Sequence, residues 1–189
     1  MNCAPSIAKL LLVVLLCVST LPSSADEVAE VTQLAKGGQT TEAMAKLDQF
    51  LALKPKDPQL RFLKGVMLAD SKRTDDAIAV FTLLNEDYPE LPEPYNNLAV
   101  LYAGQGQYEK ARVALQSAVR GNPGYATAYE NLGDVYARLA AQAYARALAL
   151  DGANASLPPK IAQLRTLFST KPAEARAATS DRAAKATPP

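Results

Sequence analysis

Three prolines, Pro55, Pro89 and Pro123, stand 34 residues apart, and the side chains ahead of each keep one register. Ala43, Ala77 and Ala111 form a column at that interval, and Leu47, Phe81 and Leu115 form a second. A recurrence of this period constrains a chain more than any single motif. Each unit is one supersecondary element that cannot bury its apolar face alone, so neighbours must stack.

The best-punctuated unit runs from Pro92 to Pro123. Tyr95, Leu98, Ala99 and Tyr102 recur at helical spacing, a Gly-Gln-Gly-Gln turn follows at 104–107, and Ala111, Leu115 and Ala118 resume the helical spacing. That is a helix–turn–helix hairpin, stopped by proline. Ala and Leu dominate the chain and no alternating β-branched run occurs, so the expected class is all-α.

These residues resemble the tetratricopeptide repeat (TPR) family, whose pattern is W-x2-L-G-x2-Y, then A-x3-F, then P over 34 residues. The third unit supplies Tyr95, Leu98, Ala99, Tyr102, Ala111, Leu115 and Pro123. The next supplies Tyr129, Leu132, Gly133 and Tyr136, with Tyr where the family has Trp. The second keeps Gly65, Leu68, Ala77, Phe81 and Pro89, and the divergent first keeps Leu34, Gly38, Ala43, Leu47 and Pro55. The resemblance implies a short right-handed α-solenoid of helix hairpins. Small residues at Gly65, Ala99 and Gly133 would let the two helices of a hairpin approach closely.

The expected repeats are about 26–57, 58–91 and 92–125, with a partial one at 126–151. Their helices are expected near 26–36, 40–53, 57–71, 74–87, 92–104 and 107–120. The fourth unit departs from the pattern. Tyr144 stands 15 residues after Tyr129, whereas Leu115 stands 20 after Tyr95, so about five residues of turn are missing. The spacing predicts one continuous helix over 126–150 rather than a closed hairpin. After the stop at Asp151-Gly152-Ala153-Asn154, a helix over 157–169 carries Ile161, Leu164, Leu167 and Phe168 and is expected to cap the solenoid. Residues 170–189 hold no large apolar side chain and are expected to be disordered.

Before the repeats, Lys9 precedes an apolar run, and Ser23-Ser24-Ala25 offers small residues for cleavage before Asp26. That is the pattern of a secretory signal over 1–25. The twelve residues between Lys9 and Pro22 are too few to span a bilayer, which needs about 20. Val14-Leu15-Leu16-Cys17 resembles a lipoprotein signal, but Leu16 stands where a small residue belongs. Both processing routes stay open: an exported periplasmic protein, or an outer-membrane lipoprotein. Cleavage after Ala25 removes Cys3, Cys17 and Lys9, leaving no thiol and 19 basic against 19 acidic residues. Such a balance provides no basic footprint for nucleic acid.

Chemistry is sparse. The chain has no histidine, and cleavage leaves no cysteine, which removes His-based acid–base work, thiol nucleophiles and the usual zinc ligand sets. No cofactor or metal is expected. Glu130 and Asp134, four apart on one helical face with Glu93 nearby, offer the one carboxylate pair a hydrolase could use, and solvated surface charge explains them more simply.

The resemblance implies instead a binding surface, a concave groove lined by the first helix of each repeat. Its expected lining is Val28 and Thr32, then Phe62, Val66 and Ala69, then Glu93, Asn96, Asn97 and Val100, then Glu130, Asn131, Asp134 and Arg138. Asn97 and Asn131 match a position at which some family members hold a peptide backbone, whereas Ala29 and Leu63 depart from it. The positions used by carboxylate clamps carry Phe62, Val66, Asn97, Thr127 and Asn131, none of them cationic. The expected role is a non-enzymatic scaffold or adaptor of the bacterial envelope, binding a polypeptide with apolar and basic residues. The alternative is a lipid-anchored accessory subunit of an envelope assembly machine.

Overall fold

The structure, a computed structural model, describes residues 23–169. The expected tail at 170–189, and all but the last three residues of the expected signal at 1–25, lie outside them. Eight helices and no strand occur among the described residues: α1 (Ser24–Lys36), α2 (Thr40–Leu53), α3 (Pro58–Asp70), α4 (Thr74–Asp87), α5 (Pro92–Gly104), α6 (Tyr108–Gly121), α7 (Ala126–Leu150) and α8 (Leu157–Ser169). None is long and apolar enough to cross a membrane.

Helix α1 starts two residues before the expected cleavage point. The Ser23 hydroxyl accepts from the Ala25 N–H, and the Asp26 carboxylate accepts from the Ser23 N–H. This reciprocal cap satisfies donors that the first turn would otherwise leave open. Pro58 and Pro92 each sit at the first helical position, where the absent N–H costs little.

The turns inside the hairpins share one geometry. Gly38, Lys72 and Gly106 all have positive φ, at 79°, 62° and 73°. They too are 34 apart, and the fourth counterpart is Ala140, which lies inside α7. With Ala there and the turn residues missing, the helix runs on for 25 residues, as the sequence pattern predicts.

Packing follows the repeat columns. Ala43, Ala77, Ala111, Leu47, Phe81 and Leu115 are all fully buried. Val31, Ala43, Leu47, Leu60 and Met67 form one cluster across α1–α3, and a larger cluster continues from Leu68 to Val135. Ion pairs stitch neighbouring helices at the margins, with Lys54 Nζ 2.8 Å from the buried Glu27 carboxylate and Lys64 Nζ 2.8 Å from Asp48.

Helices α1, α3, α5 and α7 touch in succession, whereas α2, α4 and α6 do not touch one another. The first helices of the hairpins therefore form the inner wall of the solenoid, and the second helices spread over its outside. Helix α8 touches only α7. It folds back on the distal half, with the Arg138 guanidinium 3.8 Å from the Phe168 ring centre and Lys160 Nζ 5.4 Å from that of Tyr144. Helix α8 thus lies against the upper half of α7, beside Arg138 and Tyr144.

One buried side chain lacks hydrogen bonds among the described residues: neither amide atom of Asn85 in α4 has a partner. A buried unpaired amide costs stability. Asn85→Leu is expected to stabilise the protein by about 1 kcal/mol, read as a higher urea midpoint at unchanged m.

Candidate functional site: the inner face

The inner wall is polar where α5 meets α7. Asn96 is 4% exposed and accepts a 2.8 Å hydrogen bond from Asn131 Nδ2, tying the third hairpin to the fourth. One residue on, Asn97 Nδ2 donates at 2.9 Å to the Glu93 carbonyl of its own helix. Both candidate peptide-binding asparagines thus already use one of their two amide N–H donors in the protein. Each carbonyl oxygen and the second N–H remain groups that a ligand could approach.

Around this pair the expected residues separate into two groups. Val100 is 50% exposed, Glu130 is exposed, and Glu93 and Asp134 are half-buried. Together with Asn97 and Asn131 they make an accessible, acid-flanked surface on α5 and α7. Phe62 and Val66, expected to line the apolar end, pack against the larger core cluster, and the Phe62 ring sits 5.6 Å from that of Phe81. Arg138 stacks on Phe168 and belongs to the contact with α8. The Asn96–Asn131 bond is missing from the sequence reading although both residues are in it, because a 35-residue separation suggests adjacent hairpins but not a shared hydrogen bond.

A shallow crevice lies between α5 and α6, with Tyr95, Leu98 and Tyr102 in its lining. Lys110 Nζ stands 5.4 Å from the centre of the Tyr102 ring. The Arg112 guanidinium at its edge is held above its ordinary pKa by a hydrogen bond to Glu109 and by that carboxylate's charge. Among the described residues no group of three or more His, Cys, Asp or Glu could hold a metal ion. Glu130 and Asp134 share one helical face, with Glu130 open to water.

Comparison with known proteins agrees with this architecture. Residues 28–92 match the family model described as tetratricopeptide repeat, and residues 101–139 match the one described as TPR repeat; together they span more than half of the chain. A curated relative, the chloroplastic tetratricopeptide repeat domain-containing protein PYG7 of Arabidopsis thaliana, is 34% identical over 79 residues, 39% of this chain and 26% of its own length. The chain therefore spans about a quarter of that relative. Among solved structures, YrrB, described as a TPR protein with an unusual peptide-binding site, is similar at 26% identity and a TM-score of 0.52. That match covers 59% of this chain and 57% of YrrB. TTC0263, a thermophilic TPR protein of Thermus thermophilus, is similar at 23% identity and a TM-score of 0.55, over 77% of this chain and 83% of its own.

Proposed function

The chain is a protein of tetratricopeptide repeats, and from that premise we propose that it is a non-enzymatic scaffold of the bacterial cell envelope. It holds a polypeptide segment against the inner face of α5 and α7. The observation that carries this reading is the accessible surface around Glu93, Asn97, Val100, Glu130, Asn131 and Asp134, which joins amide acceptors to carboxylates and an exposed valine. Amide oxygens accept from a peptide backbone, the carboxylates favour cationic side chains, and Val100 offers an apolar contact. Two further points support it: the description of YrrB names a peptide-binding site, and the Lys9–Ala25 pattern fits export. Phe62 and Val66 are half-buried against the core cluster, so the apolar end of the groove offers only part of each side chain. The ligand is therefore a short segment in which basic residues alternate with one or two apolar ones.

The test is fluorescence anisotropy with an extended Lys/Leu peptide, in low and high salt. Binding is expected to weaken as salt rises and to fall about tenfold in Val100→Arg, which places a cation among the carboxylates without touching the core. Asn131→Ala is the poorer probe, because it strands the buried Asn96 carbonyl and so changes the fold as well as the surface. Salt-independent binding that Val100→Arg leaves intact would sink the assignment.

A further inference from the structure

Two neighbouring columns of the repeat meet on the inner wall. One holds Val28, Phe62, Asn96 and Glu130, and the next holds Ala29, Leu63, Asn97 and Asn131. Between the third and fourth hairpins they meet diagonally, with Asn131 Nδ2 donating at 2.8 Å to Asn96 Oδ1. One hairpin earlier the corresponding pair is Phe62 and Asn97, and a phenyl ring has no carbonyl to offer. Asn97 donates instead to the Glu93 carbonyl of its own helix, at 2.9 Å. One hairpin earlier again the pair is Val28 and Leu63, both apolar and packed against the first core cluster.

Packing does not require the polar pair. Asn96 is 4% exposed, and its hydrogen bond to Asn131 mainly offsets the water that a buried amide gives up. Val28 and Leu63 show that apolar side chains fill the same two positions. What the polar pair adds is orientation. A planar amide held at its nitrogen has its carbonyl oxygen and its second N–H fixed as well. Asn131 is half-buried, so those two groups lie within reach of a ligand, whereas Asn96 is buried behind them.

We propose that Asn96 is a positioning residue for the peptide site: it holds the Asn131 amide in the orientation in which that amide meets a ligand backbone. The proposal rests on the peptide reading above and names the residue that prepares its site. An amide ordered before binding spares the complex the cost of ordering it during binding. Asn97 takes that order from its own helix. Asn131 takes it from the neighbouring hairpin, so the seam between α5 and α7 sets the register of both amides. The second and third hairpins lack such a link because Phe62 stands where Asn96 would be needed.

A double-mutant cycle tests it, with Asn96→Leu, Asn131→Ala and the pair measured against the Lys/Leu peptide. Asn96→Leu is expected to weaken binding about fivefold, the penalty for ordering one side chain on binding. Its urea midpoint is expected to hold or rise, since leucine suits a buried position. In the Asn131→Ala background the same change should alter affinity by under about twofold, because the group it orients is gone. NMR relaxation of the side-chain amides, without peptide, gives a second reading: Asn131 is expected to be rigid in the wild type and mobile in Asn96→Leu. The proposal is overturned if Asn96→Leu binds like the wild type, or if its loss multiplies with that of Asn131→Ala. A matching fall in urea midpoint assigns Asn96 to the fold and overturns it too, as does an Asn131 amide equally mobile in both proteins. Wild-type protein that leaves the peptide unbound sinks the peptide reading itself, and Asn96's part in it, before any substitution is made.

Discussion

Phe81→Ala is expected to destabilise the protein by about 4 kcal/mol, within the range for emptying a buried aromatic site. Phe81 is fully buried and its ring packs against Phe62 of the same hairpin. The opposing wall is the Gly65 backbone, which has no side chain to swing into the space the ring would leave. Collapse is therefore blocked on that side and the cavity term applies nearly in full. Against a typical domain stability of about 5–15 kcal/mol, a loss of this size removes a large share. Solenoid stability is a chain of nearest-neighbour terms, so the damage spreads to the contacts that the second hairpin makes with the first and third. Urea unfolding checks it. A sharp drop in midpoint is expected, together with a lower m-value if the hairpins begin to unfold separately. A shift worth under about 1 kcal/mol would mean that the site refills.

Much of the architecture is legible in the sequence because the repeat reports packing directly. The alanine column must be small where paired helices approach, and the Leu/Phe column must be large where three helices meet. Ala43 to Ala111 and Leu47 to Leu115 are accordingly all buried. The run-on of α7 is legible for the same reason, since a missing turn leaves a gap in the register. The inner face is harder to read. Phe62 and Val66 occupy groove positions by pattern, and each divides its apolar side chain between water and the core cluster, a split that the pattern does not encode. Likewise Asn97 satisfies its own helix and Asn131 reaches across to Asn96. Pattern gives the position of an amide and not its partner. The exposure of Tyr129 and Tyr136 on α7 follows from the missing turn as well, but the placement of α8 is decided by Leu157, Ile161 and two cation–aromatic contacts that no repeat register encodes.

The same substitution at one repeat position should have opposite outcomes in two hairpins. Gly65→Leu is expected to cost about 3 kcal/mol, the upper part of the range for overpacking a core. Its first added carbon already lies 2.5 Å from Phe81 Cε1 and 2.6 Å from Cζ, and that ring is pinned by Phe62. Either α3 and α4 separate, or the ring leaves its place in the core. The gain from replacing a mid-helix glycine, up to about 1 kcal/mol, is too small to offset this. Gly133→Leu meets open space, so only that gain remains, and it should be neutral or stabilising by up to about 1 kcal/mol. For a domain of this size Gly65→Leu should lower the melting temperature by roughly 6–12 °C, while Gly133→Leu holds or raises it. Equal losses at both positions would mean that α7 is covered along its lower half within one chain. Equal tolerance would mean that α3 and α4 are further apart than the Gly65–Phe81 contact requires. The two glycines look alike in the repeat pattern, and the difference between them is the presence or absence of a covering helix.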